Sequence, residues 1–368
     1  MRTYSKASIE PGAHTLDARW YLSPDVFQSE AERIFSRGWV CVGRASDLEQ
    51  TGSFFVTEIA DESLIVTRDG AGRVRALYNV CRHRGTRMCT ESAGRFKGSI
   101  QCPYHAWTYG LDGSLLAARH MDGTAGFDPA DYPLRQAPVV TFEGFLFVSA
   151  QPETAFEAGF APLEGRFAPW RLPELRSAGR IEYDVACNWK LIFQNYSECY
   201  HCPVIHPQLE KLSAWDSGRN DLMEGPFLGG YMLLRDDEGG LTTNGHRSHP
   251  PIETVHGDEL KRAYYYTIFP SMLLSLHADY AMVHYIRPVA PNRTAIACEW
   301  LFEPRTMADP SFDPSDVVEF WDLTNRQDWA VSELTQLGLA SRAYSPGPYS
   351  NSEGLLYAFD QHYLQSMR

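Results

Sequence analysis

No stretch of this 368-residue chain approaches the ~18 consecutive apolar residues of a membrane span. Its first residues, MRTYSKASIEPGAH, hold no apolar segment of the secretory type, so the expected compartment is cytoplasmic. Base is also in short supply. Thirty-three Lys and Arg stand against forty-six Asp and Glu, a formal net charge of −13. That balance argues against a nucleic-acid partner, which wants a basic face. No G-x-G-x-x-G opens a helix and no flavin fingerprint occurs, so hydride cannot be taken from a nicotinamide directly. Repeats and low-complexity tracts are missing too. The eight cysteines lie in a large chain without a leader, the setting of reduced thiols and metal ligands rather than a disulfide framework.

What is present is enough for two domains. A chain this long buries a core without help from metals, so any metal site is expected to be functional. Ser23-Pro24 signals a short helix start, with Phe27, Ala31, Ile34 and Phe35 as its apolar stripe. Across residues 40–150, short alternating runs such as FFVTEI, SLIVTR and FLFVSA are separated by glycine-containing turns. Asp112-Gly113 is a hairpin signal within that small antiparallel β domain. Residues 1–39 and 151–368 form the second domain. Its strand-like IEYDVACNW precedes a helical LIFQNYSECYH, four more strand-like runs follow over 263–302, and a long helix is predicted from Pro314 to Leu337. The fold class is α+β.

Inside the small domain, Cys81-x-His83 and Cys102-x-x-His105 are eighteen residues apart. Cys2His2 sets can hold one zinc ion, but zinc fingers usually gather their cysteines in one pair and their histidines in another. Here each loop offers one thiolate and one imidazole. That suits a [2Fe–2S] cluster with two thiolates on one iron and two imidazoles on the other.

A second constellation reads NYSECYHCPVIHP: Glu198, His201 and His206. Two histidines and one carboxylate are the ligands of O2-activating ferrous sites, which keep positions open for dioxygen. Five residues place the two histidines well apart around a straight helix, so the helix is expected to bend or end at Pro203. Glu198, one turn before His201, suits either a ligand or an acid that orients a ligand histidine. The late helix offers a carboxylate by its own period. Val317, Trp321, Thr324, Asp328, Val331 and Thr335 share a face, whereas Asp322 lies with Arg326 and Glu333 on a solvated one. Asp328, a charge within an apolar stripe, is the better third ligand.

The segments CRHRG and CPYHAWTYG, NYSECYHCPVIHP, and NRQDWAVSELTQ together resemble the oxygenase (alpha) subunit of Rieske non-haem iron oxygenases, nearest the betaine, carnitine and choline monooxygenases. The resemblance implies a Rieske domain joined to a helix-grip, START-like catalytic domain with an antiparallel sheet. It implies a [2Fe–2S] cluster on Cys81, His83, Cys102 and His105, with Arg84 beside the first histidine and Trp107 packed nearby. Mononuclear Fe(II) falls to His201, His206 and Asp328. Glu198 becomes a bridge from His201 to His105 of the partner subunit in a head-to-tail homotrimer, and it is Glu where most of the family has Asp. Asn195 and Glu198 are the expected catalytic side chains, with Asn195 and Tyr196 bordering the iron. Electrons come from a separate flavin-containing reductase, directly or through a ferredoxin.

The activity so implied is O2-dependent hydroxylation or N-demethylation of a small, quaternary-ammonium-type substrate. An aromatic-ring or aromatic-acid (di)oxygenase is the alternative, and an electron-carrier or zinc-binding module the non-enzymatic one. Tyr264, Tyr265, Tyr266, Phe269, Tyr280 and Tyr285 are core residues or a cage for a cation. His277 and His284 are placed within reach of substrate; His120, His246, His249 and His256 are surface or loop residues. Cys41, Cys89, Cys199 and Cys202 are taken as structural thiols.

Overall fold

The computed structural model describes residues 9–368; the first eight residues of the lead-in stretch lie outside the described residues. The chain divides into two compact units. One is Ala31–Ala161; the other joins the segment ending at Glu30 to Pro162–Arg368.

The smaller unit is built from antiparallel strands. Its five-stranded sheet runs Ala93–Arg95, Ser53–Ile59, Glu62–Arg68, Val74–Tyr78, Gln136–Ala137. The central strand Glu62–Arg68 reads SLIVT without strict alternation because it is buried on both faces. A three-stranded sheet carries the predicted hairpin, with Thr108–Gly110 paired to Leu115–Ala117. Asp112 Oδ1 accepts from the Ser114 amide at 3.0 Å, and Gly113 takes φ +88°, a conformation that side chains disfavour. The core gathers Phe54, Ile65, Leu77, Ile100, Trp107 and Tyr109 around Cys81 and Cys102.

The larger unit holds a seven-stranded antiparallel sheet. Its order is Arg176–Val185, Arg293–Phe302, Ala281–Ala290, Met272–Leu276, Arg262–Ile268, Phe227–Leu233, Arg219–Glu224. Helices Trp189–Tyr196, Ser315–Leu339 and Gly354–Ser366 pack on one another and on this sheet. Gly229, at φ +144°, lets its strand close on the next one: a Cβ there would sit 2.0 Å from the Tyr265 carbonyl oxygen. No helix among the described residues is long and apolar enough to cross a membrane.

The late helix begins one residue after the expected Pro314 and ends at Leu339. Its buried stripe drifts around the helix, as a 3.6-residue period requires. Val317, Phe320, Trp321 and Thr324 are buried early, then Trp329, Ser332, Gln336 and Leu339; Thr335, expected on the stripe, is exposed. Asp328 falls on the edge of the stripe, enclosed but not sealed.

The segment before it corrects the sequence expectation. LIFQNYSECYH is not one helix. The helix opened by Asn188, whose side chain accepts from the Lys190 amide at 3.1 Å, stops at Tyr196, two residues before Glu198. A turn follows, then the short helix Cys202–Ile205, then Pro207–Leu212. Pro203 therefore sits in a first turn, where its missing N–H costs nothing. The break that matters is at His206, whose φ −119° and ψ 65° leave the helical region that a following proline disfavours.

Candidate active site

In the smaller unit the two predicted loops are conformational twins. The Gly85 amide donates to the Cys81 carbonyl (3.0 Å) and the Cys81 amide to the Thr86 carbonyl (2.9 Å). In the second loop the Ala106 amide donates to the Cys102 carbonyl (3.1 Å) and the Cys102 amide to the Trp107 carbonyl (2.8 Å). Each loop thereby closes over a buried cysteine and presents a histidine outward. Cys81 and Cys102 are 2% exposed, while His83 is exposed and His105 half-buried. The imidazoles face each other edge to plane at 4.7 Å between centroids, and His83 stacks on Trp107 at 4.9 Å. Tyr109 places its hydroxyl 3.4 Å from Cys81 Sγ. Burial, His105 and Arg84 together hold the His83 pKa below its usual value, which favours the neutral imidazole a metal needs. Buried thiols and outward imidazoles suit the mixed ligation of a two-iron cluster, which Cys81, Cys102, His83 and His105 would hold. Arg84 itself lies over the Tyr104 ring. Cys41 and Cys89 are buried thiols, as expected.

In the larger unit, His201, His206 and Asp328 bring one ligand atom each within 4.8 Å of one another, the one such group for a single ion among the described residues. Asp328 Oδ1 is 2.8 Å from His206 Nε2 and 3.4 Å from His201 Nε2, and the two Nε2 atoms are 3.2 Å apart. The opposite ring nitrogens are anchored. His201 Nδ1 meets Glu198 Oε1 at 2.6 Å, and His206 Nδ1 meets Gln327 Oε1 at 2.8 Å. Neither oxygen can donate, so both Nδ1 atoms carry the proton and both Nε2 lone pairs point at the shared centre. Burial opposes charge on His201, yet the Asp328 and Glu198 carboxylates outweigh it and push its pKa up to about 10, so a proton and a metal ion compete for Nε2 in the same anionic field. The same imidazoles hold Asp328 below the usual carboxylate range against its own burial. A site arranged to stabilise positive charge among two lone pairs and a carboxylate fits Fe(II).

Glu198 is held by its own turn: its Oε2 accepts from the amides of Tyr200 and His201. Asp322, the rival third ligand, is turned away. It accepts from the Tyr183 hydroxyl at 2.8 Å and from Arg326 Nε at 2.9 Å.

A cavity of about 330 Å³ opens beside the triad. Two cross-strand rows of the sheet underlie it, Gly230–Tyr265–Ser275–Met282 and Leu228–Thr267–Leu273–His284, with Ser275 and Leu273 covered by their neighbours. Tyr196, Trp215, Tyr265 and Trp321 supply aromatic surface, and Asn195 borders it; the Tyr231 ring is turned to Tyr264 on the other face. The Tyr196 hydroxyl is 2.7 Å from Ser275 Oγ, and Trp321 Nε1 donates to the Tyr280 hydroxyl at 2.7 Å. The Tyr265 hydroxyl is buried without a hydrogen-bond partner. His284 is held by Asn325 at 3.1 Å, and burial pulls its pKa down to about 4.

Several expectations change here. Of the tyrosine run only Tyr265 reaches the cavity, because successive strand residues face opposite sides; Tyr264 and Tyr266 lie across the sheet. Phe269, Tyr280 and Tyr285 do not line it. His284 does, but His277 is stacked on Tyr280 in the core. His249 is buried between Phe302 and Phe312 rather than on the surface. Cys199 and Cys202 are not separate thiols. They form a disulfide, because the turn around His201 brings their Cα atoms to 5.0 Å, within bonding range. Gln327 and Trp215 were missed altogether. Gln327 had a signal, its place beside Asp328, but its partner His206 is remote in sequence.

Twin Cys/His loops in a β domain, with a two-histidine-one-carboxylate centre in an antiparallel α+β domain, define a Rieske-type non-haem iron oxygenase. Residues 38–133 match the Rieske [2Fe-2S] domain and residues 172–368 the ring hydroxylating alpha subunit (catalytic domain). The chain belongs to the Rieske oxygenase family, as an alpha subunit: an oxidoreductase with a [2Fe–2S] cluster and a mononuclear iron. It is 30% identical to the glycine betaine monooxygenase oxygenase subunit of Chromohalobacter salexigens, over 93% of this chain and 83% of that one. To the carnitine monooxygenase oxygenase subunit of Acinetobacter baumannii it is 38% identical, over 90% and 87%. The crystal structure of the quaternary ammonium Rieske monooxygenase CntA in complex with L-carnitine superposes with a TM-score of 0.79 at 26% identity, covering 97% of this chain and 96% of that one.

Proposed function

We propose that this chain is the oxygenase component of a monooxygenase that hydroxylates or N-demethylates a small quaternary ammonium compound. The observation that carries the reading is the wall of Tyr196, Trp215, Tyr265 and Trp321 on a cavity opening beside His201, His206 and Asp328. Aromatic faces attract a trimethylammonium group that water solvates poorly. The relatives named for betaine and carnitine point the same way.

In this reading the Rieske domain spans 40–150, and Cys81, His83, Cys102 and His105 hold its cluster. His201, His206 and Asp328 hold the iron, which supplies O2 activation when bound. Per turnover one O2, two electrons and two protons convert a C–H bond to C–OH and release one water. A hydroxylated N-methyl group then leaves as formaldehyde. The protein's part is positional. Glu198 and Gln327 fix the imidazoles, the aromatic wall presents the methyl groups, and Asn195 borders the reacting centre. Glu198 carries electrons onward by bridging His201 to His105 of the partner subunit in a homotrimer. A flavin-containing reductase, alone or through a ferredoxin, supplies those electrons in the cytoplasm.

The test is anaerobic purification followed by metal, sulfide and substrate analysis with a surrogate reductase. Expected are acid-labile sulfide, an EPR signal of the histidine-ligated type, and formaldehyde release or hydroxylation coupled to O2 uptake with quaternary ammonium substrates. Stoichiometric zinc without sulfide refutes the cofactor roles, and coupled turnover confined to neutral aromatics refutes the substrate class.

A further inference from the structure

The charge of the cavity wall is one-sided. Its lining includes the carboxylates of Glu198, Asp216 and Asp328, and no lysine or arginine among the described residues. Glu198 and Asp328 are engaged with His201 and His206, whereas Asp216 is exposed at the lining's edge. Bases on neighbouring elements are committed elsewhere. Arg219, next to the lining residues Gly218 and Asn220, donates to the backbone carbonyls of Ser217 and Gly218 at 3.4 and 2.8 Å. Arg166 is paired with Asp221. His284, the remaining nitrogen base in the floor, is kept neutral by burial.

The polar groups that remain are uncharged, among them the amides of Asn220 and Asn351 and the hydroxyls of Thr267 and Ser352. Tyr265 adds a ring face for a cation, its hydroxyl being closed off beneath the wall. A carboxylate brought against this wall away from the metal centre leaves water with no lysine or arginine to pair with, and Asp216 at the edge repels it. A hydroxyl brought there finds partners of its own kind at no electrostatic cost.

We infer that the substrate is a cationic tertiary or quaternary ammonium compound whose far end is a hydroxyl or other uncharged polar group, not a carboxylate-bearing zwitterion. This rests on the quaternary-ammonium reading above and narrows it. The anionic lining discriminates against carboxylates, and the formal charge of −13 draws net cations toward the surface.

Matched probes test it on the intact, metal-loaded enzyme. Choline and glycine betaine share a trimethylammonium head and differ in a hydroxymethyl or carboxylate end. Calorimetric binding and formaldehyde or aldehyde formation are measured for both, with tetramethylammonium as the head alone. The expected result is choline bound at least tenfold more tightly than betaine. Betaine bound as tightly or better overturns this inference while leaving the quaternary-ammonium reading intact. Binding of none of the three overturns both. Two variants extend the test. Asn220→Leu is expected to weaken choline several-fold while leaving tetramethylammonium unchanged, and equal losses for the two count against the tail assignment. Asn220→Arg is expected to improve betaine relative to choline, and an unchanged ratio in folded, iron-loaded protein contradicts the charge argument.

Discussion

Replacing Gln327 by leucine keeps the size of the side chain and removes one acceptor. In the wild type, Gln327 Oε1 accepts from His206 Nδ1 at 2.8 Å, and His206 is 2% exposed, so water has no route to take over that bond. An orphaned buried donor costs about 1–3 kcal/mol. The ring can avoid part of that by moving its proton to Nε2, but that atom is the proposed iron donor, so the escape is itself a loss of metal affinity. Loss of an outer hydrogen bond to a metal-bound histidine typically weakens binding by about 10–100-fold, or roughly 1.4–2.7 kcal/mol. The two routes agree in size. Iron occupancy during titration with a competing chelator is the assay, with the visible spectrum of the Rieske cluster as an internal control in the same sample. Gln327→Leu is expected to lose iron at about ten-fold lower chelator while the cluster band is unchanged; Gln327→Glu, which restores the acceptor, is expected to recover most of the affinity. Wild-type chelator resistance in Gln327→Leu refutes the claim that this bond sets the His206 tautomer.

Asp328→Ala is expected to abolish mononuclear iron and turnover with the cluster retained, whereas Asp322→Ala keeps both; the opposite pattern in metal analysis exchanges their roles. Glu198→Gln keeps the shape and loses the charge, so both metals are expected to stay bound while steady-state turnover falls by two orders of magnitude or more; loss of iron instead makes Glu198 a ligand. Asp279 is buried with one carboxylate oxygen lacking a partner, and burial, with Asp316 adding to it and Arg247 opposing, pushes its pKa up to about 7. The folded protein therefore keeps a proton that the unfolded chain gives up near pH 4, so this group's stabilisation is full below about pH 4 and lost as the pH rises to 7. Asp279→Asn is expected to flatten that dependence and gain up to a few kcal/mol over wild type at pH 8, at about 1.4 kcal/mol per pKa unit, but little at pH 4; thermal melts showing equal differences at both pH values refute it.

Local features of this molecule were legible from sequence because their physics is local. Each Cys/His pair sits within one tight turn, so two short motifs carry the geometry of the small domain. Asp328 stood out because a helical period makes a lone carboxylate on an apolar stripe visible. The stretch Glu198–His206 was read less well. Its histidines were found, but the helix ending at Tyr196 was not, since Ser197–His201 carries no proline or glycine to announce a break. Cysteine counting could not foresee the Cys199–Cys202 bond, which depends on how the turn folds back. The cavity wall was the least legible part. Trp215 and Trp321 converge from a loop and a helix, and only sheet register decides that Tyr265 points inward between two tyrosines that do not.

That alternation bears on how such an enzyme diversifies. Tyr265, Thr267, Met282 and His284 face the cavity, while their chain neighbours Tyr264, Tyr266 and Val283 belong to the opposite layer, and all of them stand on one unbroken ladder of main-chain hydrogen bonds. Substitutions on the inner layer alter what is accommodated without disturbing the ladder or the residues behind it. Inheritance can thus explore new substrates one strand position at a time, while the triad, held on other segments of chain, stays where it is.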